Sequence, residues 1–146
     1  MTERLHLILY HKQRSSARLR FLRHAHGGVC TPGPLPADAV VQRHPCDAET
    51  SADGGRLQLH PGMLLRATEA NLGLPRGCLE PDAGFRGHVC SADGCAAVRL
   101  ASFTNLDPPM AAAASVGATF LDLTAARGLP AAELALLRLA YEHVLG

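Results

Sequence analysis

Cysteine and histidine are the side chains of this sequence with the most distinctive chemistry, and some of them lie close together along the chain. There are five cysteines and eight histidines. His88 and Cys90 are two residues apart, so on a β-strand they project from the same face, and Cys95 follows across a turn. Zinc prefers thiolate and imidazole ligands in a tetrahedral set. His88, Cys90 and Cys95 are therefore a candidate zinc site, and the alternative is that the cysteines are small apolar core residues.

A second group of residues combines arginine with histidine. Arg23-His24 follows a predicted strand, Arg66 lies in the segment 59–69, and Gly87-His88 lies in a later strand. These segments resemble the Arg-His signature, the second arginine and the second histidine of the histidine phosphatase superfamily. The resemblance is to short motifs and not to the whole chain. It implies a phosphoryl transfer in which His24 attacks phosphorus while Arg23, Arg66 and His88 neutralise the phosphoryl oxygens.

A third candidate lies at the junction of a predicted strand and a predicted helix, at Thr104, Asn105 and Asp107. Ligands of open α/β sheets bind where strands end, and the free amides of a helix start can hold an anionic cofactor. The alternative is an ordinary helix start, in which the carboxylate of Asp107 caps those amides and Pro108 occupies the first turn.

Composition limits the class of protein. The chain has 146 residues, of which 47% are apolar and 18% charged, which predicts a single globular domain over 1–146. A net charge of +1 and an aromatic content of 4% argue against nucleic-acid binding. The sequence contains no run of 18 uncharged apolar residues, so we predict no membrane-spanning helix. The charged start at Glu3 and Arg4 does not resemble a secretory signal, so we expect a cytoplasmic protein with reduced cysteines.

The elements that must position these residues alternate between hairpins and helices. Asp-Gly at 53–54 and 93–94 suits tight turns, and Pro61, Pro108 and Pro130 suit helix starts. The predicted fold class is α+β: a mixed, mainly antiparallel sheet with two to three helices packed on one face, including one βαβ unit near the C-terminus. The predicted elements are a hairpin of 4–11 with 18–24, a loop at 27–38, a strand at 39–44, a helix at 62–72, a hairpin of 85–90 with 96–103, a helix at 108–116, a strand at 118–123 and a helix at 130–145.

The leading functional hypothesis is a small non-enzymatic binding or accessory protein that acts through protein or small-molecule contacts. The C-terminal helix is leucine-rich on more than one face, so it could meet a protein partner or a second copy of the chain, and complete burial in the core is the alternative. The rival hypotheses are a metal-dependent enzyme or zinc-binding protein, and phosphoryl transfer at His24. Beyond zinc, we expect no cofactor.

Overall fold

The structure is a computed structural model, and it describes residues 4–13, 18–31, 33–42, 61–92 and 94–145. The described elements follow one another along the chain as β1 (Arg4–Lys12), β2 (Leu19–Arg23), β3 (Cys30–Thr31), β4 (Val40–Gln42), α1 (Pro61–Asn71), β5 (Leu79–Ser91), β6 (Gly94–Phe103), α2 (Met110–Ser115), β7 (Thr119–Leu121), a 3-10 helix (Leu123–Gly128) and α3 (Ala131–Leu145).

Seven strands of the described residues form one mixed sheet in the order β4-β5-β6-β1-β2-β7, with β3 paired to β1 beside β2. β1 is parallel to β6, and the other pairs are antiparallel. β7 is antiparallel to β2, and β2 is antiparallel to β1, so β7 runs parallel to β6. The segment β6-α2-β7 is therefore the predicted βαβ unit, with β1 and β2 between its two strands. The predicted α+β class is confirmed.

The sheet has helices on both faces, and the central strand β1 is buried on both sides as a result. Leu7, Ile8 and Leu9 are each no more than 5% exposed, and a strand covered on both faces has a nearly continuous apolar run. Leu7 and Leu9 belong to one core cluster, which also contains residues of α1 and α2. Ile8 belongs to a second cluster, which contains residues of α3 and the 3-10 helix. The prediction that the helices lie on one face is wrong.

The predicted hairpins are confirmed, and the second is longer than its pattern indicated. β5 and β6 pair from Leu79↔Phe103 to Ser91↔Gly94, with an irregularity between Asp82 and Gly87. Of the predicted strand 39–44, Val40–Gln42 form β4 and residues 43–44 lie outside the described residues, and the predicted loop 27–38 contains the short strand β3. The first Asp-Gly turn lies outside the described residues. Within the described ranges, no helix is both long enough and apolar enough to cross a membrane.

Candidate functional site

Arg23 and His24 lie where the sheet strand β2 leads into a tight loop before β3. The backbone amide of His24 donates to the carbonyl of Gly28 at 2.7 Å, and the amide of Gly27 donates to the carbonyl of His24 at 2.8 Å. Gly27 has a φ of 95°, in the left-handed region that favours glycine. Arg23 Nε donates to the Gly27 carbonyl at 2.9 Å. Arg23 therefore helps to close the loop.

The imidazole of His24 is buried. The residue is 7% exposed, and its Nε2 atom is buried with no hydrogen-bond partner. The exposed ring of His26 stacks on it, with 5.5 Å between ring centroids. Burial, together with the positive charge that His26 can carry, lowers the pKa of His24 to about 4. At neutral pH the ring is therefore uncharged, which is the protonation state of an imidazole nucleophile.

The same loop is also held by Glu133 of α3, a residue that the sequence did not indicate as part of any site. Glu133 is 2% exposed, and its Oε1 atom accepts from the amide of Val29 at 3.1 Å. His26 Nδ1 accepts from the amide of Gly28, and Nε2 lies 2.9 Å from the carbonyl oxygen of Cys30. Burial, followed by the nearby charge of Glu133, raises the pKa of the Cys30 thiol. The only sequence signal for this arrangement was the glycine pair after His26.

The second predicted arginine, Arg66, contacts Glu69 of α1 and Leu79 of β5. Its Nε atom lies 3.0 Å from Oε1 of Glu69, and Nη2 donates to the carbonyl of Leu79 at 3.0 Å. Glu69 is 1% exposed and also accepts from the amides of Gly77 and Leu79. Arg66 and Glu69 line an open groove of about 330 Å³. This pair fixes the turn before β5.

The residues that the phosphatase resemblance implies do not share one site in this structure. His24 follows β2, whereas His88 lies on β5 opposite Ala97. β6 and β1 separate these two strands, which places the strands about 14 Å apart at the usual spacing. Phosphoryl transfer at His24 stays a prediction, without the gathered arginines and second histidine that the resemblance implies.

His88, Cys90 and Cys95 lie at the end of the β5–β6 hairpin, as predicted. Cys90 is directly opposite Cys95, and the two form a disulfide. The expectation of reduced cysteines is therefore wrong for this pair. Because the disulfide occupies both sulfur atoms, neither is a thiolate ligand here. Among the residues that the structure describes, no group of three His, Cys, Asp or Glu side chains could hold a metal ion. Zinc binding stays a prediction for the reduced chain.

Thr104, Asn105 and Asp107 fasten the connection from β6 to α2. Thr104 Oγ1 donates to the carbonyl of Gly77 at 3.3 Å. The Asn105 carbonyl lies 2.9 Å from Nε2 of the fully buried His11. Asp107 Oδ1 accepts from Nε2 of Gln13 at 3.2 Å. The helix begins at Met110 with no side-chain cap, so the interpretation of Asp107 as its capping residue is wrong, and cofactor binding by these three residues stays untested.

Residues 106–110, which we call the 106–110 loop and which include Met110, the first residue of α2, carry two exposed apolar side chains. Leu106 is 68% exposed and Met110 is 52% exposed. Pro108 and Pro109 lie between them, and the ring of proline fixes φ. The loop therefore presents apolar side chains to solvent from a backbone that has little freedom.

A cluster that sequence reasoning missed joins β1, β5 and α3. The Tyr10 hydroxyl donates to Oδ2 of Asp82 at 2.8 Å, and Nε2 of His143 lies 3.0 Å from Oδ1. Burial would raise the pKa of Asp82, but hydrogen bonds from His143, Tyr10 and the Gly84 amide leave it lowered. Burial, followed by the hydrogen bond to Asp82, raises the pKa of Tyr10. A carboxylate that orients an imidazole suits general-base chemistry, and the pair also anchors the end of α3.

Most leucines of α3 pack into the hydrophobic core. Leu136 and Leu137 are fully buried, and Leu134 and Leu139 are partly buried against the same cluster. The alternative of core burial therefore accounts for these leucines, while Tyr141 remains 40% exposed. Contact of this helix with a partner or a second copy stays a prediction.

Comparison with known proteins identifies no family for this chain. No protein-family model matches it, and no curated protein matches it either. What the protein does is therefore inferred from the geometry of its own residues.

Proposed function

We propose that this protein is a small, cytoplasmic, non-enzymatic binding protein that contacts a protein partner through the 106–110 loop. The observation that carries the proposal is the exposure of Leu106 and Met110 on a loop that is tied to the rest of the fold. Exposed apolar side chains that are close together are typical of interaction surfaces, and these two are separated by only three residues on one short loop. Burial of each of these two side chains in a partner would contribute about 2 kcal/mol.

The fastening of the loop favours binding because an ordered loop loses little conformational entropy when a partner covers it. His11 holds the Asn105 carbonyl, and Gln13 holds the carboxylate of Asp107. Both contacts come from the end of β1, which is the central strand of the sheet. The loop that carries the two apolar side chains is therefore connected directly to the central strand of the sheet.

The buried polar groups supply a second reason to prefer binding over catalysis. Glu69 accepts backbone amides of the turn before β5, and Glu133 accepts an amide of the loop before β3. Arg23 and Arg66 donate to backbone carbonyls. Each of these residue types can act in catalysis, but here each has a partner that stabilises a loop.

Site-specific photo-crosslinking tests the proposal. A photoreactive amino acid is placed at position 106 and, as a matched control, at position 63, because Met63 is 64% exposed on α1. We expect a discrete crosslinked protein band from position 106, weaker or absent from position 63, and lost when Met110→Asp is added. A band at twice the mass of the chain would identify the partner as a second copy. Equal crosslinking from positions 106 and 63 would contradict the proposal.

Phosphoryl transfer at His24 is the second candidate function, and the neutral state of its imidazole at pH 7 favours it. Hydrolysis of para-nitrophenyl phosphate by the wild-type chain, lost in His24→Ala, would support it. Absence of turnover in the wild type would exclude this substrate class. Zinc binding by His88, Cys90 and Cys95 is tested separately, by elemental analysis of protein purified with a reductant.

A further inference from the structure

We propose that the Cys90–Cys95 disulfide is a thiol-exchange site, at which a low-molecular-weight thiol of the glutathione type forms a mixed disulfide with Cys95. The two cysteines are directly opposite each other at the tip of the β5–β6 hairpin. Cys95 is exposed and Cys90 is half-buried. An incoming thiolate can therefore reach the sulfur of Cys95 from solvent more easily than that of Cys90.

Two other cysteines of the described chain contrast with this pair. Cys30 is fully buried and Cys78 is 5% exposed. Burial is the main cause that raises the pKa of each thiol. A buried, protonated thiol is neither a nucleophile nor open to attack. Among the described cysteines, exchange is therefore confined to the hairpin tip.

The hairpin does not depend on the disulfide for its pairing, so the bond can open without unfolding of the sheet. Next to Cys90 and Cys95, the ladder continues through Val89↔Ala96 and His88↔Ala97. The amide of Ala92 at the tip also donates to Oδ2 of Asp38 at 2.8 Å. Reduction thus leaves the two sulfur atoms facing each other, ready to form the bond again.

The exchange proceeds in two balanced steps. A thiolate of the small thiol attacks Sγ of Cys95, a new sulfur–sulfur bond forms, and the Cys90 sulfur leaves as a thiolate that takes a proton from water. A second molecule of the thiol, as its thiolate, attacks the sulfur of the bound small thiol. This step releases the oxidised small-thiol dimer and the Cys95 thiolate. The protein gains two electrons, and two molecules of thiol are oxidised.

Both the expected cytosolic compartment and the place of the disulfide in the fold agree with a role in thiol exchange. In cytosolic proteins, disulfides that form are usually redox-sensing or catalytic. The hairpin tip lies at the opposite end of β6 from the 106–110 loop. Exchange at Cys95 and protein binding at the 106–110 loop can therefore succeed or fail independently.

Intact-mass measurement of glutathione exchange tests the assignment. Cys46, which lies outside the described residues, is changed to Ser in every sample so that it does not react. The oxidised full chain is treated with millimolar reduced glutathione, the reaction is quenched with acid, and the intact mass of the protein is measured. We expect the native chain to lose its disulfide. A native chain that stays oxidised, while a urea-unfolded sample is reduced, would overturn the proposal.

Single variants decide which sulfur reacts. With oxidised glutathione, Cys90→Ser should gain one stable glutathione on Cys95, since it lacks the second thiol that would release it. Cys95→Ser should gain one at least about threefold more slowly, because Cys90 is less accessible. Circular dichroism checks that both variants are folded. Equal rates in the two variants would refute the assignment to Cys95.

Discussion

Acidification should destabilise this protein through His24. Its imidazole is 7% exposed, and Nε2 has no hydrogen-bond partner. In the folded state, the charged form of the ring would therefore have neither solvent nor a hydrogen-bond partner at Nε2 to stabilise it. Burial and the neighbouring His26 lower the pKa from 6.5 to about 4. Since the unfolded chain keeps the ordinary value, it binds the proton more tightly than the folded chain between these two pH values.

The sign and size of the effect follow from this difference. The contribution of His24 is favourable to folding above pH 6.5 and is lost as the pH falls toward 4. Each pH unit between these values costs about 1.4 kcal/mol, so the total loss is about 3 kcal/mol. Urea denaturation, followed by circular dichroism at about pH 7.5, 6.5, 5.5 and 4.5, measures the free energy of unfolding at each step.

The variant His24→Gln provides the comparison, because it removes the titration and keeps a polar side chain of similar size. Other acidic groups also lose their interactions at low pH, so the quantity to compare is the difference between wild type and variant. We expect that difference to change by about 2 to 3 kcal/mol between pH 7.5 and 4.5. His26→Gln should raise the pKa of His24 only in part, since burial is the larger cause. A constant difference across the range would refute this account of His24.

Two further predictions concern packing and ion pairing. Gly28→Ala should destabilise the chain by about 1 to 3 kcal/mol, because a Cβ there would lie 2.7 and 2.9 Å from the carboxylate oxygens of the buried Glu133. Gly33→Ala is the matched control, because a Cβ at that position has nothing within 4 Å. Equal thermal midpoints of the two variants would contradict the clash. A double-mutant cycle of Asp82→Asn and His143→Gln should give a coupling free energy of about 0.5 to 1 kcal/mol at pH 6, decreasing as acid protonates the carboxylate, and a coupling of zero would show that the pair contributes nothing.

Local patterns predicted the elements of this fold well. The alternation of apolar and basic residues around Leu19 and Phe21, after a polar segment, predicts the first hairpin, and the recurrence of Leu134, Leu137 and Tyr141 at helical spacing predicts α3. These signals depend only on residues within one element and its turn. The parallel pairing of β1 with β6 could not be predicted, because it joins Arg4 to Ala96 and no local period encodes such a partner.

The candidate sites were predicted less well for a related reason. Asp82 is 72 residues from Tyr10 and 61 from His143, so spacing along the chain carries no sign of their contact. Glu133 lies in the first turn of α3, and nothing nearby in sequence indicates that it accepts an amide of Val29. A charged residue near a helix start is usually solvated, so its burial becomes visible only when the loop that covers it is placed.

The two buried glutamates show why chemically promising residues in this chain are mostly structural. A buried carboxylate is tolerated only where donors surround it. Glu69 receives backbone amides and Arg66, and Glu133 receives the amide of Val29. Each carboxylate joins a helix to the loop that enters a strand, one on either side of the sheet. Both carboxylates are thus taken up by backbone amides, and for this reason our proposals for binding and thiol exchange concern the exposed 106–110 loop and the Cys90–Cys95 hairpin tip instead.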